Sequence, residues 1–157
     1  MDGLILLGKY GIAVQTSPQP VLNQPITDDR IICGEFERGY FPELGGLTMA
    51  EMDTGADISN INAKNIVANK TLNTDYLTFE FEGTKYDVPL VAASTACSIL
   101  AKFKCYIIKT PISMGGKTIE TLLSVSEFST VIGRNTIKQL GFLIDPSKKF
   151  VLTKKYF

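Results

Sequence analysis

Leu77, Phe79 and Phe81 alternate with Thr78, Glu80 and Glu82, and the pattern breaks at Gly83. An alternation of period two makes one face apolar and the other polar, which suits an extended strand and not a helix. The stretch YLTFEFEGTKYDVPL (76–90) therefore predicts a hairpin turning at Gly83. FKCYIIKTPISMGGKTIETLLSV (103–125) predicts a second, around Gly115-Gly116. GLTMAEM (46–52) and FSTVIG (128–133) add apolar strands. FLIDPSKKFVL (142–152) predicts a last hairpin, turning at Asp145-Pro146-Ser147. NTIKQLG (135–141) alone has helical spacing, with Ile137 and Leu140 three apart and Gly141 placed to cap the end. Many short strands with one short helix near the C-terminus predict a mainly β, closed barrel-like fold.

The 157 residues suit one domain. Residues 1–29 read differently from the rest. Pro18, Pro20 and Pro25 make TSPQPVLNQPITDD an extended arm or linker, which leaves 30–157 as the domain. LILLGKYGIAV is apolar but lacks the basic start and small-residue cleavage site of a signal peptide, which favours a cytoplasmic location. No apolar run approaches the roughly 20 residues that span a bilayer, so no membrane partner is expected. Sixteen Lys and Arg balance sixteen Asp and Glu, which gives no electrostatic case for nucleic acid.

The chain contains no histidine. That excludes Ser-His-Asp and Cys-His nucleophilic machinery and any zinc site with a histidine ligand. Cys33, Cys97 and Cys105 form no CxxC pair and are too few for a four-cysteine site. On one continuous strand Cys97 and Cys105 would share a face but lie too far apart to bond, so all three read as small core hydrophobes.

The remaining candidate for chemistry is Asp53-Thr54-Gly55, within EMDTGADISNI (51–61). An ordinary surface Asx turn accounts for such a tripeptide. The flanking Ala50, Met52, Ala56, Ile58 and Ile61 suggest instead that Asp53 ends a buried strand and that the chain re-enters the core. A carboxylate there is costly unless it is hydrogen-bonded. Gly55 would let a backbone N–H approach it closely, and Thr54 could lock the loop through its hydroxyl. STVIGRNTIKQLG (129–141) supplies a second segment, with two apolar residues before Gly133 and a helix after it.

Together, DTGAD and IGRNTIKQLG resemble the retropepsins, the retroviral-type aspartic proteases. FPELGGLTMAEMDTGA, TPISMGGK and LIDPSKKFVL extend the resemblance to a bacterial retropepsin-like family often labelled as an ATP-dependent zinc protease. The likeness covers about residues 33–153. It implies the closed acid-protease barrel, with the apolar-apolar-Gly segment packed beneath the catalytic loop. It assigns Asp53 as catalytic and Thr54, Gly55, Ala56, Asp57, Gly133 and Arg134 as its support. Asp57 and Arg134 would form a partly buried, forked ion pair. The bacterial family usually has Arg at the Asp57 position and His near Asn62, and this chain has neither. No zinc ligands and no P-loop are present, so no metal or other cofactor is expected.

Aspartic-protease chemistry needs two carboxylates sharing a proton, one acting as base on water and the other as acid. Only one DTG is present, and Pro146 disqualifies IDPS as a second. The resemblance therefore implies a homodimeric endopeptidase with peptide or protein substrates. Its flap would be the hairpin around Gly83 or the segment 91–105 that follows. Ala56 offers the aspartate no hydroxyl, which implies a mildly acidic optimum of about pH 5–6. The alternative is a catalytically silent module of the same fold that binds peptides or forms a structural dimer.

Overall fold

A hairpin closes most cheaply where two residues tolerate positive φ, and the chain folds back at two such places. The computed structural model describes residues 30–94 and 105–153. Strands β1 (Ile31–Cys33), β2 (Phe36–Phe41) and β3 (Gly46–Met52) come first, then β4 (Ser59–Asn62) and β5 (Lys64–Lys70). Strands β6 (Asp75–Phe81) and β7 (Thr84–Pro89) turn through Glu82 and Gly83, at φ 49° and 85°. After β8 (Ala92–Ser94), strands β9 (Cys105–Met114) and β10 (Lys117–Ser126) turn through Gly115 and Gly116, at φ 59° and 83°. Both are two-residue turns of the kind whose twist matches the flanking strands. Strand β11 (Val131–Ile132), helix α1 (Arg134–Leu140) and strand β12 (Phe142–Ile144) follow.

The strand order β10-β4-β11-β3-β2-β9 closes on itself because β9 also pairs with β10. The result is a closed six-stranded barrel in which 59% of the described residues are strand and 8% helix, with a short helix near the C-terminus. Strand β8 extends the sheet beyond β9, while β5, β6 and β7 form a separate three-stranded sheet. Phe41, Ile61, Ile108, Ile112, Leu123, Ile132 and Leu140 fill the interior, and Leu77, Phe79 and Phe81 bring the inner face of β6 into the same core. The alternation read along 77–82 is the one observed, with Leu77, Phe79 and Phe81 buried. Gly141 ends α1 in the left-handed region, and its N–H donates to the carbonyls of Ile137 and Lys138. Among the described residues no helix is long and apolar enough to cross a membrane.

Two expectations are corrected here. FLIDPSKKFVL is not a hairpin. Strand β12 pairs in parallel with β1, and beyond the Asp145 turn the chain supplies the carbonyls of Lys148 and Lys149 to the N–H groups of Glu35 and Phe36. It then turns helical at Leu152 and Thr153. The organiser is Glu37, fully buried on β2. Its carboxylate accepts the N–H groups of Gly34, Val151, Leu152 and Thr153 and the Thr153 hydroxyl. Burial alone would raise the Glu37 pKa, but these hydrogen bonds outweigh it and hold the group below its ordinary value.

The second correction concerns cysteine. Cys33 is buried and free, and burial beside the Glu37 charge pushes its thiol up to about 12. Cys105 is instead disulfide-bonded, to a partner outside the described residues. Cys97 itself also lies outside them. The premise of one continuous strand fails because β8 and β9 are antiparallel, with Ser94 opposite Cys105, so the chain reverses between them.

Candidate active site

Strand β3 delivers Asp53 to the barrel surface at the point where β11 is inserted between β3 and β4. Val131 and Ile132 run parallel to Glu51 and Met52, while Val131 is also antiparallel to Asn60. The Asp53 N–H donates to the Ile132 carbonyl at 2.9 Å. The loop then bends over Gly133. The Arg134 N–H donates to the Ala56 carbonyl at 2.8 Å, and the Asn135 N–H to that of Asp57 at 3.2 Å. The apolar-apolar-Gly segment and the start of α1 thus lie beneath the Asp53 loop and bond to both of its limbs.

Gly133 is required there by space. A Cβ on it would lie 2.7 Å from the Ile58 carbonyl carbon, 2.8 Å from the Ala56 oxygen and 2.9 Å from the Ser59 nitrogen. All three are backbone atoms of the loop and the start of β4. Gly55 serves closeness in a second way. Its N–H donates to Asp53 Oδ1 at 2.8 Å, and a Cβ on it would meet that same oxygen at 3.1 Å.

A buried polar cluster, which sequence reasoning did not single out, fixes the base of the loop. Ser59 Oγ accepts the Gly133 N–H at 2.8 Å and lies 2.6 Å from Thr136 Oγ1, which in turn lies 2.7 Å from Thr121 Oγ1. Asn135 accepts the Ser59 N–H on Oδ1 and donates through Nδ2 to the Leu122 carbonyl. Asn60 accepts the Ser124 and Ser126 hydroxyls and donates to the carbonyls of Phe128 and Ser129, which positions the approach to β11. The available signal was polar side chains, in SNIN and RNT, at places that burial demands. Buried polar groups need partners, and these partner one another.

The structure brings Asp53, Thr54, Gly55, Ala56, Asp57, Gly133 and Arg134 together; Gly83 lies at the tip of the β6–β7 hairpin. Asp53 is half-buried, while Thr54 and Gly55 are exposed. No hydrogen bond from the Thr54 hydroxyl occurs among the described residues. Arg134 Nη2 approaches Asp57 Oδ1 at 3.4 Å, but the two side chains are 64% and 83% exposed. The ion pair exists, and its expected burial and forked geometry are corrected. Both groups reach outward from backbone that is already bonded, so solvent keeps access to them. Gly83 sits at a hairpin tip that is fastened to the barrel, where Thr48 Oγ1 donates to Glu82 at 2.6 Å. Thr48 precedes Asp53 by five residues on β3, about 16 Å of extended chain. The other flap segment, 91–105, has β8 and β9 as flanks, and its tip lies outside the described residues.

Asp145 gives an internal contrast. Its Oδ1 accepts the Ser147 N–H and hydroxyl in an exposed turn, and these bonds hold its carboxyl below the ordinary range. This is a plain Asx turn. Asp53 shares the bond to the N–H two residues on, but its loop is clamped from below by β11 and Gly133. A cavity of about 390 Å³ lies between Met49, Lys64, Thr130 and Gly83, and Asp53 does not line it. Among the described residues, no three His, Cys, Asp or Glu side chains gather as metal ligands.

No protein-family model matches the chain, and no curated protein does. Among solved structures it is similar to Lpg0085, a protein of unknown function (DUF785) from Legionella pneumophila. The TM-score is 0.65 at 21% identity, over 78% of this chain and 98% of that one. At that identity the likeness shows a shared fold and nothing further.

Proposed function

We propose that the chain is one half of a homodimeric, retropepsin-like aspartic endopeptidase in which Asp53 and its two-fold mate activate a water between them. The observation that carries this reading is the clamped loop. The carboxylate follows a strand with one buried face, accepts the Gly55 N–H, and stands on a base that bonds to both limbs of its loop. Catalysis needs a group held within a fraction of an ångström, and a loop bonded on both limbs supports that reading.

The dimer follows from chemistry. One carboxylate cannot act as base on water and as acid on the carbonyl oxygen in the same step, so two must share a proton. Asp53 stands on an open surface beside exposed Thr54 and Asp57. A second copy of this surface would supply the missing carboxylate by symmetry and exclude water from the reacting bond. The flap candidates in this reading are the β6–β7 hairpin at Gly83 and the segment 91–105. Substrates are peptides or proteins in extended form.

The silent-module reading shares the fold and the loop, so it differs only in turnover. The test is cleavage of a peptide library by wild type and by Asp53→Asn across pH. Hydrolysis lost in a folded Asp53→Asn supports the protease. Equal cleavage by both proteins removes Asp53 from catalysis, and a wild-type dimer that cleaves nothing favours the silent module.

A further inference from the structure

Strand β11 is only two residues long, but it sits between two longer strands. Because it pairs with both β3 and β4, those strands stand two strand spacings apart, about 9.5 Å. Beyond Thr130 the chain leaves that line, and no described strand continues it. The cavity of about 390 Å³ occupies the vacated lane. Thr48 and Met49 form one wall and Asn62 and Lys64 the other, with Thr130 at the closed end. The β6–β7 hairpin tip lies over it.

The wall on β3 presents backbone. The N–H groups of Asp53 and Glu51 donate to Ile132 and Thr130, whereas that of Met52 donates to Glu35 on the opposite side. With a period of two, Met49 and Leu47 turn their N–H and C=O groups to the same edge as Glu51, into the lane. Among the described residues, the partners of β3 are β2 and, at Glu51 and Met52 only, β11. An open stretch of edge, walled on both sides and one strand wide, is the geometry of strand addition.

We propose that this lane docks one extended polypeptide segment carrying a Lys or Arg, which adds to β3 in line with β11. A strand of about three residues, ~10 Å long, uses the edge groups of Met49 and Leu47. Charge selects the basic residue. Glu80 and Glu82 line the lane against one cation, Lys64, so two negative charges less one positive leave a net of one negative. Met49 precedes Asp53 by four residues, about 13 Å along β3. The lane is therefore separate from the candidate active site, and the proposal stands whether or not Asp53 is catalytic.

The test is a titration of the isotope-labelled full chain with the pentapeptide Ac-Thr-Val-Lys-Val-Thr-NH2, followed by backbone amide shifts. Saturable shifts are expected at Leu47, Met49, Thr130 and Gly83. Methylating the alternate peptide nitrogens that face β3 should abolish them. Replacing the peptide Lys by Glu should weaken binding about two- to fivefold, and the exposed substitution Glu80→Gln should narrow that difference. No saturable shift at millimolar peptide would overturn the proposal, and so would shifts centred on Asp53–Asp57. Undiminished binding of the methylated peptide would rule out strand addition, and equal affinity for the Lys and Glu peptides would rule out the basic occupant.

Discussion

Replacing Gly133 by alanine tests the clamp beneath Asp53. Ordinary contact for a Cβ begins near 3.4 Å, and here the new atom would meet the Ile58 carbonyl carbon at 2.7 Å. The loop or the start of α1 must therefore move by about 3.4 − 2.7 = 0.7 Å. The other two crowded atoms are also backbone, so no side chain can turn aside. The Ala56 oxygen is among them, and it accepts the 2.8 Å bond from Arg134. The Gly133 N–H bond to Ser59 Oγ lies on the same atoms. Overpacking of this kind costs about 1–3 kcal/mol. Gly133→Ala should thus lower the urea-unfolding free energy by ~2–3 kcal/mol with an unchanged slope. If the protease reading holds, cleavage should fall by about a hundredfold in protein that is still folded, because a shift approaching 1 Å misplaces the carboxylate. A Gly133→Ala protein as stable as wild type would refute the tight clamp. Loss of stability with full activity would refute its link to Asp53.

Glu37→Gln should cost about 3 kcal/mol at pH 7, because an amide nitrogen replaces one oxygen facing backbone donors and the charge on the remaining bonds is lost. The folded-state pKa of Glu37 is depressed, so its stabilisation is present above the ordinary carboxylate range and lost as pH falls through the folded value. The gap between wild type and Glu37→Gln in urea melts should therefore close below about pH 4, and a pH-independent gap would contradict this account. Arg134→Ala should change stability by no more than about 1 kcal/mol, since its ion pair with Asp57 is exposed; a loss near 3 kcal/mol in thermal melts would mean that the pair is covered in solution. Cys33, with its thiol pushed up to about 12, should resist a maleimide in native buffer and react on unfolding. Prompt native-state labelling of Cys33, read by mass spectrometry, would contradict its burial.

What could be read from the sequence was local. Gly83 and Gly115-Gly116 declare their turns because few other residues accept positive φ, whereas the positive φ of Glu82 was not legible. Helix α1 was legible from Ile137, Leu140 and the capping Gly141, and the end of β3 at Asp53 from its apolar flanks. What was hidden depended on distant partners. In FERGYF, Glu37 reads as a solvent-facing charge, but the burial pattern turns it inward and leaves Arg38 out. Its acceptors' partners at 151–153 are more than a hundred residues away. The same holds for the second arm of FLIDPSKKFVL, which bonds to Glu35 and Phe36 rather than to its neighbour β12. Within the candidate site, opposite charges at Asp57 and Arg134 were legible as a pair, but their exposure was not, because nothing in two residue types reports what covers them. Ser59, Asn135 and Thr136 were missed because each is ordinary alone and acquires meaning only when the strand and the helix meet.

The central claim is that two copies of Asp53 work as one site, and mixed dimers test it most directly. Wild type and Asp53→Asn chains would be unfolded together in equal amounts, refolded at fixed total protein, and assayed for peptide cleavage. Random pairing leaves about a quarter of the dimers with two aspartates. The account predicts activity at about a quarter of that of undiluted wild type, because a single carboxylate cannot share a proton with an amide. Activity at about half would mean that each chain works alone, and wild-type dimers that cleave no peptide would contradict the protease itself.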